Sequence, residues 1–125
     1  MRILILFLIA TSVSANESDC LSRIMYAEAR GEPLEGLVAV GQSVINRASK
    51  QNKPICRVTG VKRTQPPLTV FEYYKAMAKA LLIKPSNSIA KGSDSWNTGK
   101  KPNQSGEITR QIGNHVFYVL KAEAE

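Results

Sequence analysis

The sequence holds one histidine, one tryptophan and two cysteines among its 125 residues. Each scarcity excludes a class of chemistry. With His115 alone, and with no Cys-x-x-Cys or His-x-x-x-His spacing, the chain lacks the ligand set of a zinc site, so neither metal nor cofactor is expected. A Ser-His-Asp triad would have to use that same His115, and the G-x-S-x-G turn that exposes a nucleophilic serine is missing. Gly41-Gln42-Ser43 falls instead inside a helical pattern. Cysteine catalysis would need Cys20 or Cys56 as a free thiol. There is no internal repeat, no low-complexity tract, and no apolar run near the roughly 20 residues that span a bilayer as a helix.

The most apolar stretch lies in MRILILFLIATSVSA. Arg2 supplies a positive start, Ile3 to Ala10 a short apolar run, and Val13-Ser14-Ala15 a small-residue cleavage site. Residues 1–15 are therefore expected to be a signal peptide and 16–125 the mature domain. Export to the periplasm, the cell wall or the extracellular space follows, with no stable membrane anchor after cleavage. Cys20 follows Glu17-Ser18-Asp19, which is too polar for a lipoprotein acylation site. Removing Arg2 lowers the formal charge from +7 to +6. For an exported protein that basic surface suits polyanionic envelopes such as peptidoglycan, wall polymers or anionic lipid, and nucleic acid is not an expected partner. General solubility is the plainer account of the same charge. The length suits one domain with one modest core, expected as a monomer.

Two cysteines in an oxidising compartment suggest a Cys20–Cys56 disulfide, with free thiols as the alternative. Closing a loop of that length would add about 4 kcal/mol in the chain-entropy account.

Helical periodicity organises the first half. Ser18 or Asp19 can cap a helix with apolar Leu21, Ile24 and Met25. The next position of that series is Glu28, so the spacing turns a carboxylate toward the core. Gly31 can end the helix in the left-handed conformation. Pro33 suits the first turn of a second helix, whose stripe is Leu34, Leu37, Val38, Gly41, Val44, Ile45 and Ala48. Gly36 and Gly41 would allow close approach of another backbone, and Asn52 and Pro54 end the helix. So short a connection makes the two helices antiparallel or steeply crossed, which brings Cys20 near the segment of Cys56. A third helix is expected from a Thr69-x-x-Glu72 capping box, with Val70, Tyr73, Tyr74, Met77, Ala80 and Leu81 inward and Pro85 as its stop. Residues 86–106 are polar and too long for an idle connection. HVFYVL reads as a strand or as a last helix.

A carboxyl shielded from water resists ionisation, and a protonated glutamate can give its proton to a glycosidic oxygen, as in lysozyme. Glu28 fits that role by position. Pairing with Arg30 or Arg47 is the structural alternative.

The stretch YAEARGEPLEGLVAVGQSVINR, from Tyr26 to Arg47, resembles the signature of the SleB/CwlJ cell-wall hydrolase family, known from spore-cortex-lytic enzymes. Cys56-Arg57-Val58 and Gln65-Pro66 resemble the family's next segments, and Gly92-Ser93-Asp94-Ser95-Trp96-Asn97 resembles its Gly-Ala-Thr-x-x-Tyr-Asn motif. Ile112-Gly113-Asn114-His115-Val116-Phe117-Tyr118 is similar to its Ile-Gly-x-His-x-Phe-Tyr ending. The resemblance runs over about residues 21–118. Its first and last motifs are specific, the middle ones weak. Trp96 stands where the family has tyrosine, Asp94 where it commonly has threonine, and VKRTQPPLTV replaces a longer loop.

The resemblance implies an α+β, mostly helical, compact lysozyme-like domain that cleaves peptidoglycan glycan strands between N-acetylmuramic acid and N-acetylglucosamine, as a lytic transglycosylase. The family's catalytic glutamate falls on Glu28. A hydrolytic muramidase would need a second carboxylate at ~5–9.5 Å. Asp94 is the candidate, while Glu32 and Glu35 read better as residues of the helix start. Gln65, Trp96 and Asn97 are candidate substrate contacts, with loop capping and a core anchor as their plainer roles. Arg30 is expected to orient a carboxylate or cap the turn, and His115 to hydrogen-bond structurally. The rival readings are a non-catalytic wall-binding or inhibitor module, against which the intact EARGE run argues, and a basic membrane-active or nucleic-acid-binding protein, against which the lack of aromatic-basic interleaving argues.

Overall fold

A computed structural model describes residues 15–121. The expected signal peptide lies outside them, save for Ala15, which opens the first helix. Helix α1 (Ala15–Ala29) begins ahead of Ser18 and Asp19, so neither caps it. Leu21, Ile24 and Met25 are fully buried, as their spacing predicts, and Glu28 lies half-buried in the last turn. Gly31, at φ +84°, turns the chain out of α1, a conformation that favours glycine.

Helix α2 (Leu34–Gln51) starts just after Pro33, with no side chain capping it. Its apolar edge is Leu37, Val40, Val44 and Ala48, whereas Leu34, expected in the stripe, is 58% exposed. Asn52 ends the helix in the left-handed conformation. The two glycines of α2 differ. A Cβ on Gly41 would lie 2.7 Å from Leu81 Cδ1 and 2.9 Å from Met25 Sδ, so α1 and α3 both crowd this point. Gly36 has no neighbour nearer than 3.4 Å and so does not serve the close approach expected of it.

Helix α3 (Leu68–Ile83) follows Pro67 without a side-chain cap, so Thr69 sits inside the helix and its capping box does not form. Proline at the junction already fixes the entry angle. Tyr74, Ala78 and Leu81 face the core, while Tyr73 and Ala80 turn outward, a rotation of the expected face. The polar segment that follows carries a single turn of helix, α4 (Asn87–Ala90), and then strand β1 (Ser95–Thr98). Strands β2 (Gly106–Ile112) and β3 (His115–Leu120) form a hairpin about Gly113 and Asn114, and HVFYVL is the strand rather than the helix. The three strands are antiparallel in the order β1-β3-β2, with Trp96 opposite Phe117. The fold is thus α+β and mostly helical. One core takes in Leu21, Ile24, Met25, Val40, Val44, Leu81, Trp96 and Phe117. Among the described residues, no helix is long and apolar enough to cross a membrane.

Cys20 of α1 is disulfide-bonded to Cys56 in a short 3-10 turn (Ile55–Arg57), with Cα atoms 5.2 Å apart. The bond staples the start of α1 to the segment leaving α2. Replacing both cysteines by serine is expected to lower unfolding free energy by about 2–4 kcal/mol in a denaturant titration. An unchanged midpoint would mean that packing alone holds this corner.

Candidate active site

One edge of α2 is polar yet turned inward. Gln42 Nε2 donates to Asn46 Oδ1, and Gln42 Oε1 accepts the Ser86 N–H at 2.6 Å. Ser43, buried, lies 2.6 Å from the Ser93 hydroxyl and donates to the Ala39 carbonyl. Asn46 donates to Asn87 Oδ1 and to the Ser93 carbonyl. One turn on from Ser43, Arg47 Nε donates to the Asp94 carbonyl at 2.8 Å and Nη1 to the Gly60 carbonyl at 2.6 Å. Lys50 reaches Asp94 Oδ2 at 2.6 Å and the Leu120 carbonyl at 3.2 Å. Spacings of three and four residues put all five side chains on one edge. There they supply partners to a segment with little regular structure of its own.

That edge positions β1, and β1 positions Trp96. The indole Nε1 donates to Glu28 Oε2 at 3.0 Å, and the backbone N–H of Lys62 donates to Glu28 Oε1 at 2.7 Å. Each oxygen of Glu28 is therefore oriented by a neutral donor. Neither arginine considered as its partner is ion-paired with it. The Arg30 guanidinium lies 5.0 Å over the Tyr26 ring, orienting no carboxylate among the described residues, and Arg47 is engaged by carbonyls. The Lys62 segment is held along α1 by the Thr64 N–H, which donates to the Arg23 carbonyl.

Trp96 is 8% exposed, and the Arg47 guanidinium covers one face of its ring at 4.7 Å. The residue is a core anchor and a donor, and the flat face that a sugar would use is taken on that side. Burial lowers the Arg47 pKa from its ordinary value, against the opposing charges of Asp94 and Glu28 and the nearby Tyr118. Burial likewise raises the Tyr118 phenol.

A cavity of about 490 Å³ opens beside Trp96, lined by Arg47, Lys50, Thr59, Asp94, Asn97 and Tyr118 among others. Glu28 is not in its wall; the Trp96 indole and the Gly60–Lys62 segment connect the two. Asn97 lines the cavity but closes its own loop, donating to the Thr98 and Lys101 carbonyls and accepting from the Asn103 N–H. Gln65 accepts from Arg23 Nε at 3.0 Å and is not brought to the cavity. Asp94 lies in the wall, ion-paired with Lys50, while its Oδ1 accepts from Ser95 and from the Leu120 N–H.

Glu32 has a different place from the helix start expected of it. Its side chain is 8% exposed, and its Oε2 accepts the Asn114 N–H at 3.2 Å. A Cβ on Gly113 would lie 2.2 Å from that oxygen, so glycine is required in this hairpin turn for the carboxylate to approach. His115 is buried, with Nδ1 3.7 Å from Glu32 Oε1 and no hydrogen-bond partner for Nδ1 among the described residues. The structural hydrogen bond expected of His115 is thus not made at that atom; the ring packs edge-on against Phe117. Glu35 pairs with Arg110. Among the described residues, no group of three His, Cys, Asp or Glu side chains could hold a metal. Sequence reasoning gave Lys62 no role and treated Arg47 only as an ion-pair partner. A backbone donor leaves no trace in residue identity.

Comparison with protein-family models, with curated proteins and with solved structures returns no match for this chain.

Burial opposes the charge on Asp94, but hydrogen bonds from Lys50, Leu120 and Ser95, with the Lys50 charge, outweigh it and hold the carboxyl below its ordinary 3.8. A lowered folded-state value stabilises the fold above the unfolded pKa and stops doing so as pH falls through the folded one. Thermal melts of wild type and Asp94→Asn should therefore differ above about pH 4, wild type being the more stable, and converge in stronger acid. A gap that persists undiminished at low pH would contradict the ion pair.

Proposed function

We propose that the chain cleaves peptidoglycan glycan strands between N-acetylmuramic acid and N-acetylglucosamine, with Glu28 as single acid/base on a lysozyme-like frame. The observation that carries this reading is the Glu28 carboxylate itself. It is half-buried at a helix end, free of any ion pair among the described residues, and oriented through both oxygens by Trp96 and Lys62. The adjoining cavity offers amide and hydroxyl groups from Thr59, Asn103 and Gln104, which suit acetamido and hydroxyl substituents. The resemblance of the Tyr26–Arg47 stretch to the SleB/CwlJ signature points the same way.

In this mechanism Glu28, in its acid form, gives a proton to the oxygen joining the two sugars. The C1–O bond breaks with an oxocarbenium-like transition state. The carboxylate left behind takes the proton of the muramic acid 6-hydroxyl, whose oxygen closes on C1 as a 1,6-anhydro ring. The acid is regenerated without water entering the reaction. Hydrolysis would need a further carboxylate to activate water. Asp94, Glu32 and Glu35 are each engaged by other partners, which favours the single-acid route. Export to the cell wall, and action there as a monomer, belong to the same proposal.

Purified protein incubated with peptidoglycan sacculi is expected to release muropeptides with anhydro ends, read by mass spectrometry. Reducing ends would replace the transglycosylase with a muramidase, and intact strands would contradict glycan cleavage altogether.

A further inference from the structure

Arg47 makes three contacts that share one consequence. Its Nη1 holds the carbonyl of Gly60, two residues before Lys62, and its Nε holds the carbonyl of Asp94, two residues before Trp96. Its plane also covers the indole ring. Lys62 and Trp96 supply the two donors to Glu28. We propose that Arg47 is a positioning residue, a clamp that sets the spacing between these two donors and thereby orients the Glu28 carboxylate. The inference rests on the reading of Glu28 as the acid.

The residue type fits the task. A guanidinium directs donors along fixed, divergent directions and stacks on an aromatic face, which an ammonium on a flexible stem cannot do at once. Gly60 is matched to it: φ is +79°, and a Cβ there would lie 2.9 Å from Arg47 Nη1. Arginine and glycine thus form one fitted contact, and the loop carrying Lys62 cannot shift without breaking it. The neighbouring Lys50 performs the analogous task for Asp94 and Leu120 but touches neither Glu28 donor.

The test uses Arg47→Lys, Trp96→Phe and the double variant, with kinetics on solubilised peptidoglycan and the emission of Trp96, the only tryptophan in the sequence. Arg47→Lys is expected to lower kcat about 10- to 100-fold, the scale of a small misplacement of a reacting group, with KM within about twofold. Its Trp96 emission should move to the red while far-ultraviolet circular dichroism stays native. In the Trp96→Phe background the same change should cost less, because one of the two routes is already cut. A raised KM at unchanged kcat would make Arg47 a substrate contact and overturn the proposal, as would unchanged kcat and emission.

If wild type cleaves no glycan, the functional reading fails, and hydrogen exchange then decides the clamp alone. Slow exchange of the Trp96 indole N–H in wild type, lost in Arg47→Lys, supports it, and equal protection in both overturns it. Should Arg47→Lys not fold, wild type still answers. A slowly exchanging Arg47 Nε–H supports the clamp, and exchange as fast as that of free arginine overturns it.

Discussion

Gln42, Ser43, Asn46, Arg47 and Lys50 run along one edge of α2, and against them lies chain that has almost no regular structure with which to satisfy its peptide groups. A buried donor or acceptor left unpaired costs about 1–3 kcal/mol, so the buried end of that segment, Ser93 and Asp94, is accommodated where these side chains meet it. The Ser86 N–H and the Ser93 and Asp94 carbonyls each find a partner on α2. The placement of β1 follows, and with it that of Trp96, whose indole reaches Glu28. Without this edge the indole would have no reason to stand beside the end of α1.

The turn between α1 and α2 is held from two directions. Glu28, at the end of α1, is reached by Trp96 from the sheet and by Lys62 from the loop. Glu32, just beyond the turn, takes the Asn114 N–H across Gly113 and lies beside His115. The EARGE run and the Ile-Gly-x-His segment, far apart in sequence, thus meet through Glu32. Both glutamates accept neutral N–H donors and both tie distant segments to this turn. They differ in burial: Glu28 faces partly outward, and Glu32 is almost wholly enclosed.

The fold was legible where apolar spacing was strong. Leu21, Ile24 and Met25 pointed inward as their periodicity required, and the same series brought Glu28 to the helix's inner edge. The Cys20–Cys56 bond followed from cysteine count and helix crossing. The sheet was less visible. β1 is four residues of mostly polar character, and β2 exposes Ile108, so neither shows a plain apolar alternation. The hairpin did carry a signal: two runs of strand-forming residues separated by Gly113-Asn114, a pair suited to a tight turn. Exposed Leu34 and Tyr73 misled the stripes of α2 and α3 because periodicity ranks residues by type and cannot see which angle of the helix a neighbour occupies. At the candidate site, the inward placement of Glu28 was legible, whereas its donors were not. Lys62 acts through its backbone, and Trp96 acts through an N–H whose direction depends on strand register. Asn97 and Gln65 carry amides that suit either sugar or loop, and local hydrogen bonds engage both.

Glu28 as the proposed acid is put to the test by a zymogram on peptidoglycan with wild type and Glu28→Gln. Glutamine keeps the size and one acceptor oxygen, so it can retain one of the two donated hydrogen bonds, but it cannot supply the proton. A cleared zone is expected for wild type and none for the variant when both are equally folded; equal clearing by the two proteins would rule out Glu28 as the acid.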